Sequence, residues 1–317
     1  MSRRYFATLS TLSACVLGGA TIAAQPPRIS NGEVAARSVS SGLSQTFKSI
    51  VSAQADVAWI GYAVPVRDRD KTMCCWSNAN GTTFVSGSMS VSDAACCGSC
   101  RIEPASDVAT AQRLASQSPP AAPAAQGPIK LEGAERMVVL FRIVDRQVER
   151  VRSFSEDCAL DAGGRQLHWL NDVRPAESIA LLESLIGAEP DRKNRVTNSA
   201  LQAISMHAEP TASATIERLA RSHTAAPVRG EALFWLAQMA GEKVSGAITA
   251  AIENDPDTEV KRRAVFALSQ LPKSEGVPLL INVARKNTNP AVRKQAIFWL
   301  GQSRDPRAIE FFAEILK

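Results

Sequence analysis

Val292-Arg293-Lys294-Gln295-Ala296-Ile297-Phe298-Trp299-Leu300 has a counterpart 32 residues upstream, Val260-Lys261-Arg262-Arg263-Ala264-Val265-Phe266-Ala267-Leu268. The same step of 32 reaches Val228, Ala232 and Leu236, and then Val196, Ala200 and Ile204. At about 100° per residue, offsets 0, 4 and 8 fall within one sector of a helix, so each copy predicts an amphipathic helix whose Val, Ala and Leu face inward. An apolar second helix follows in each copy, as in residues 277–284 and 308–316. Asp305-Pro306 sets an N-cap acceptor before a proline at the first helical position, and Asn289-Pro290 and Asp255-Pro256 mark the joins between copies. One helix pair cannot bury its own apolar face, so neighbouring copies must stack into a solenoid. Residues 176–186 read as one more such helix with no partner in front, a half unit that opens the array.

Within this pattern, Asp255-Pro256-Asp257-Thr258-Glu259-Val260-Lys261, Asn289-Pro290-Ala291-Val292-Arg293, Trp299-Leu300-Gly301 and Asp305-Pro306-Arg307-Ala308-Ile309 resemble HEAT repeats of the phycobilisome-lyase-like type. The resemblance covers residues 173–317 and implies a fold, not an activity. Similar repeats occur in bilin lyases, in deoxyhypusine hydroxylases and in adaptors. The hydroxylase resemblance implies iron held by His-Glu dipeptides. Here His168, His207 and His223 precede Trp169, Ala208 and Thr224, so that ligand set is missing.

Ahead of the array the periodicity is of another kind. Residues 57–64 are dense in strand formers and stop at Pro65, and Thr82-Thr83-Phe84-Val85 follows an Asn80-Gly81 turn signal. Residues 136–144 and 147–154 flank Asp145-Arg146 and predict a hairpin. The segment 104–133, rich in Ala, Pro, Ser and Gln, predicts a flexible loop that interrupts this β region. Residues 157–164 read as a strand end followed by a Gly-Gly turn. The expected organisation is therefore α+β: a signal peptide at 1–24, an unstructured lead-in at 25–44, a cysteine-rich β domain at 45–172 and a HEAT-like α-solenoid at 173–317.

Arg3 and Arg4, the uncharged run Tyr5–Ala24 and the following Gln25-Pro26-Pro27 have the order of a cleavable export signal, which places the mature chain in the periplasm or outside the cell. Ser2-Arg3-Arg4-Tyr5-Phe6 resembles the twin-arginine motif, and an ordinary secretory signal reads equally well. Leu12-Ser13-Ala14-Cys15 resembles a lipobox, although the apolar run continues past Cys15, so cleavage near Ala24 competes with lipidation. Six further cysteines, Cys74, Cys75, Cys96, Cys97, Cys100 and Cys158, fit disulfides after export, with the pairing open. A thiolate metal site is the rival reading, because Cys97-Gly98-Ser99-Cys100 has C-x-x-C spacing.

Two surface features stand out in the repeats. Arg229, Lys261 and Arg293 each follow the repeat Val, either as a basic strip for an acidic partner or as hydrogen-bond donors that serve stacking. Phe234, Phe266 and Phe298 stand at offset six, with Gln202 in the first copy. That offset lies about 160° from the mean Val-Ala-Leu direction, so these rings are candidates for an outward aromatic ridge that binds a protein partner; burial between adjacent copies is the alternative. Trp235 and Trp299, at offset seven, fall in the inward sector. With 36 basic and 31 acidic residues interspersed, no basic stripe indicates nucleic acid. No G-x-S-x-G, H-E-x-x-H or phosphate loop occurs, and no cofactor or metal is implied. The leading expectation is an exported, non-enzymatic scaffold; the rivals are an enzyme or metal protein using the cysteines, and a lyase-like or chaperone role towards a cofactor-bearing client.

Overall fold

The computed structural model describes residues 28–68, 75–77, 83–85, 100–103, 134–187, 195–239 and 244–317. The expected export signal at 1–24, Cys15, Cys74, Cys96, Cys97 and the 104–133 segment lie outside the described residues.

The first half forms β1 (Ile29–Ser38), α1 (Leu43–Ala53), β2 (Ala58–Pro65), the short β3 (Cys75–Ser77), β4 (Thr83–Val85) and β5 (Cys100–Arg101), then β6 (Arg136–Val144), β7 (Gln147–Ser155) and β8 (Leu160–Asn171). The main sheet runs β1-β8-β2-β6-β7, with β5 also beside β8, while β3 and β4 pair separately. Strands β1 and β2 both lie parallel to β8, and β2, β6 and β7 are successively antiparallel. The 136–154 hairpin turns at Asp145 and Arg146, with φ of 50° and 59°. Positive φ at both central residues is what lets a two-residue turn follow the strand twist.

Side chains alternate between the sheet's two faces. Ile60, Tyr62, Val64, Met137, Val139, Phe141 and Val151 pack with Leu43, Phe47 and Ile50 of α1 and with the helices that follow. Trp59, Val138, Leu140, Phe154, Leu167 and Trp169 form a second core on the other face, together with Ile102 and the buried Cys158.

Two expectations are corrected here. Within the 25–44 stretch, residues 29–38 are an edge strand: β8 supplies their main-chain hydrogen bonds, so most of their side chains stay exposed and show no apolar period. Residues 160–164 are likewise the start of the 12-residue β8, not a turn. Gly163 and Gly164, with φ of 60° and 81°, lie where the β1–β8 register shifts between Ser30 and Gly32, so they make a bulge inside a strand.

Helices fill the second half: α2 (Pro175–Ser184), α3 (Arg195–Met206), α4 (Thr211–Ser222), α5 (Ala226–Gln238), α6 (Val244–Asn254), α7 (Thr258–Gln270), α8 (Lys273–Lys286), α9 (Pro290–Ser303) and α10 (Pro306–Ile315). Helix α2 stands before four hairpins, α3–α4 to α9–α10. Val228, Val260 and Val292 are all buried, as are Ala200, Ala232, Ala264 and Ala296, and Ile204, Leu236, Leu268 and Leu300. Their small Ala column lets α3, α5, α7 and α9 pack side by side. Val196 departs from the pattern and is half-buried. Asn289 and Asp305 cap α9 and α10 through their side chains; at the join before α7 the cap is Asp257, while Asp255 is used elsewhere.

Sheet and solenoid share one core, because α3 packs on β7. Their chains also meet at the backbone. Arg67 donates its amide to the Met206 carbonyl at 2.8 Å and Ala208 to the Pro65 carbonyl at 3.1 Å, around an isolated bridge between Val66 and His207.

Candidate functional site

The three phenylalanines form a ladder with the two tryptophans. Phe234 and Phe266 are half-buried and stack with centroids 5.7 Å apart and planes 1° from parallel. Phe266 meets Trp299 at 4.9 Å, Phe298 meets Trp299 at 4.9 Å, and Phe234 meets Trp235 at 5.0 Å. Phe298 is 51% exposed. Phe234 and Phe266 therefore lean on the following repeat and Phe298 on the tryptophan beside it, an arrangement between the outward ridge and the inter-repeat burial that the sequence left open. The expected core position of the tryptophans holds in part: both are half-buried, with Nε1 atoms that are buried without a hydrogen-bond partner among the described residues. Beside Trp299 a cleft of about 300 Å³ opens between α7, α8 and α9, with Leu271, Lys273, Val277, Gln302 and Arg304 in its wall.

The basic residues after the repeat Val serve stacking. Arg229 donates to the His223 and Thr224 carbonyls and forms a two-pronged pair with Asp255, at 2.8 and 3.0 Å. Lys261 reaches the Glu253 carbonyl at 2.8 Å, and Arg293 reaches those of Asn287 and Thr288. These cations satisfy carbonyl groups left open where the preceding hairpin ends. Burial acts to raise the Asp255 pKa, but the hydrogen bonds from Arg229 and the Asp257 amide, with the Arg229 and Lys261 charges, together hold the carboxyl below its usual range.

A buried polar chain ties the sheet to the helices, and nothing in the sequence pattern marks it. His207 donates from Nδ1 to the Ala203 carbonyl at 2.7 Å, which leaves Nε2 to accept from the Ser178 hydroxyl at 2.8 Å; Ser178 Oγ in turn accepts from Tyr62 at 2.8 Å. Burial pushes the Tyr62 hydroxyl well above its ordinary pKa, against the Ser178 hydrogen bond, which lowers it. Burial also pushes His207 down to about 4, opposed by its backbone contacts with Ala203 and Ile204. Ser178 and His207 have the spacing of a nucleophile and its base. All three side chains are fully enclosed, so no substrate reaches them and the chain acts as a fastening.

On the other face of the sheet, Glu103 gathers Arg142 at 2.5 and 3.0 Å, Trp59 at 3.1 Å and Arg165 at 3.5 Å. Burial acts to raise the Glu103 pKa, but the Arg142 and Trp59 hydrogen bonds and the two guanidinium charges bring it below its usual value. Of the expected cysteine set, Cys75 and Cys100 lie in β3 and β5, and Cys158 is in the core just described. His168 bonds Gln54 at 3.0 Å, and no three His, Cys, Asp or Glu side chains are grouped to hold a metal among the described residues. No helix among them is long and apolar enough to cross a membrane.

Residues 246–317 match the family model described as HEAT repeats. The matched stretch runs from α6 through α10, so the helical repeats of this region are HEAT repeats, a form in which stacked hairpins commonly serve as protein-interaction scaffolds. No curated protein matches the chain.

Proposed function

We propose that this protein is an exported, non-enzymatic scaffold that binds a protein partner through the aromatic ladder of its HEAT-type solenoid. The observation that carries the reading is the ladder itself. Five aromatic rings run across three successive repeats and come to the surface at Phe298, beside a cleft able to receive one partner side chain. Aromatic anchors next to a pocket are the chemistry of binding hot spots. Export is supported by Arg3, Arg4 and the apolar run behind them, and by six cysteines that suit an oxidising compartment; the β domain is then a disulfide-stapled support for the array. The repeats are of the phycobilisome-lyase-like type on the residues quoted for that resemblance.

Crosslinking and affinity recovery from the cell envelope test this. Phe234, Phe266 and Phe298 are changed together to Ser, and a second variant changes the exposed Phe298 alone, which leaves the half-buried rings in place. Partner recovery is expected to fall with both, more with the triple. Recovery equal to wild type from a folded triple variant defeats the ladder as a binding surface.

A further inference from the structure

In each of the first three hairpins, the first helix carries a covered apolar side chain at offset five, and in the third the second helix is apolar and covered as well. At offset five, Leu201, Leu233 and Val265 are buried, while Ile297 of α9 is 39% exposed. On the second helices, Val277, Val283 and Ala284 of α8 are 3%, 6% and 8% exposed, while their counterparts 32 residues on, Ile309, Ile315 and Leu316, are 66%, 50% and 83% exposed. Phe298 completes the pattern, since Phe234 and Phe266 each have a following aromatic to lean on. Five of the six large apolar side chains that stand exposed among the described residues are therefore on α9, α10 or the residue after it, and they occupy stacking positions.

We propose that this face of the α9–α10 hairpin is a self-association surface, and that its occupant is the same face of a second copy of the chain. The face continues an established interface, that between repeats, so its occupant has to offer an antiparallel helix pair with an apolar seam. The opposite, upstream face of the array is already occupied, because α2 and β7 pack against α3. A head-to-tail stack is thereby closed, and the matching pair of open faces meets about a two-fold axis. Charge supports that pairing. Lys294 stands on α9 one turn before Ile297, Glu310 follows Ile309 on α10, and both are exposed without an ion-pair partner among the described residues. A two-fold axis that lays α9 across α10 of the second copy brings Lys294 towards Glu310 at both ends. Gly301 adds to this: it is exposed in the last turn of α9, a Cβ placed there meets nothing within 4 Å, and Ala237 and Ser269 hold the position in the two preceding repeats. A bare backbone there lets a crossing helix come close.

This surface does not depend on the ladder reading, and residues outside the ladder test it. Analytical ultracentrifugation of the mature full chain is expected to show a dimer. Ile309→Asp with Leu316→Asp, on side chains that are exposed in the single copy, is expected to weaken dimerisation at least a hundredfold with an unchanged far-ultraviolet circular dichroism spectrum. Gly301→Leu, which meets open space within one copy and replaces a poor helix former, is expected to weaken the dimer at least tenfold while raising the melting temperature of the monomer. Val34→Asp, an exposed apolar site on the sheet edge, leaves the dimer intact. A wild-type monomer at about 100 µM, or a dimer indifferent to the α10 substitutions, overturns the proposal.

Discussion

Arg229, Lys261 and Arg293 meet one need three times in the solenoid, each closing the carbonyl end of the preceding hairpin, whereas Glu103 in the sheet meets its own need once, holding Arg142, Trp59 and Arg165. In the repeats the side chain varies around a fixed task. Arg229 adds Asp255 from the next join, whereas Arg293 bonds the Asn287 and Thr288 carbonyls of the preceding one. In the sheet the arrangement is singular, and so is the Tyr62-Ser178-His207 chain at the junction. A repeated contact spreads its load over near-equivalent sites, while a singular buried charge leaves its partners uncompensated when it is lost.

Removing Glu103 tests that contrast most severely. Glu103→Ala leaves the largely buried Arg142 without its main partner and frees the Trp59 indole, so a loss of about 4 kcal/mol is expected in urea unfolding. A loss within 1 kcal/mol, roughly that of a surface site, would mean that the sheet spreads its polar load as the repeats do.

Acid probes the junction. Because burial lowers the folded-state pKa of His207 from 6.5 to about 4, its contribution is complete above about pH 6.5 and is lost as pH falls towards 4. The unfolded chain takes up the proton first, which costs the native state up to about 3 kcal/mol across that window. His207→Gln is expected to flatten the pH profile of stability between those limits; an unchanged slope would assign the acid sensitivity to other groups.

The smallest effect is expected inside the repeats. Asp255→Asn gives α6–α7 the residue that α8–α9 already carries as Asn287, so about 1 kcal/mol is expected, with Arg229 keeping its carbonyl contacts. A loss approaching that of Glu103→Ala would make the ion pair as singular as the one in the sheet.

This contrast also explains what the sequence discloses. Val228, Val260 and Val292 share one environment, and their 32-residue interval exposes it before any coordinates. The 136–154 hairpin is legible too, because alternation flanks a two-residue turn. Strand β1 is not: its pairing rests on backbone groups along β8, and backbone hydrogen bonds leave no imprint on the order of side chains. The His207 fastening is hidden for a related reason, since its members are 29 and 116 residues apart. Phe234, Phe266 and Phe298 fall between these cases. Their interval is plain and their outward tilt follows from helix geometry, but the contact of Phe234 and Phe266 with the next repeat depends on inter-helix spacing, which one helix does not encode.

Urea unfolding of Val228→Ala, Val260→Ala and Val292→Ala, measured side by side, addresses the equivalence of the repeats most directly. Each valine is buried in the same column, so each substitution is expected to cost about 2 kcal/mol, with the three values within about 0.5 kcal/mol of one another. Values that scatter from near zero to several kcal/mol would contradict the claim that these positions do one job.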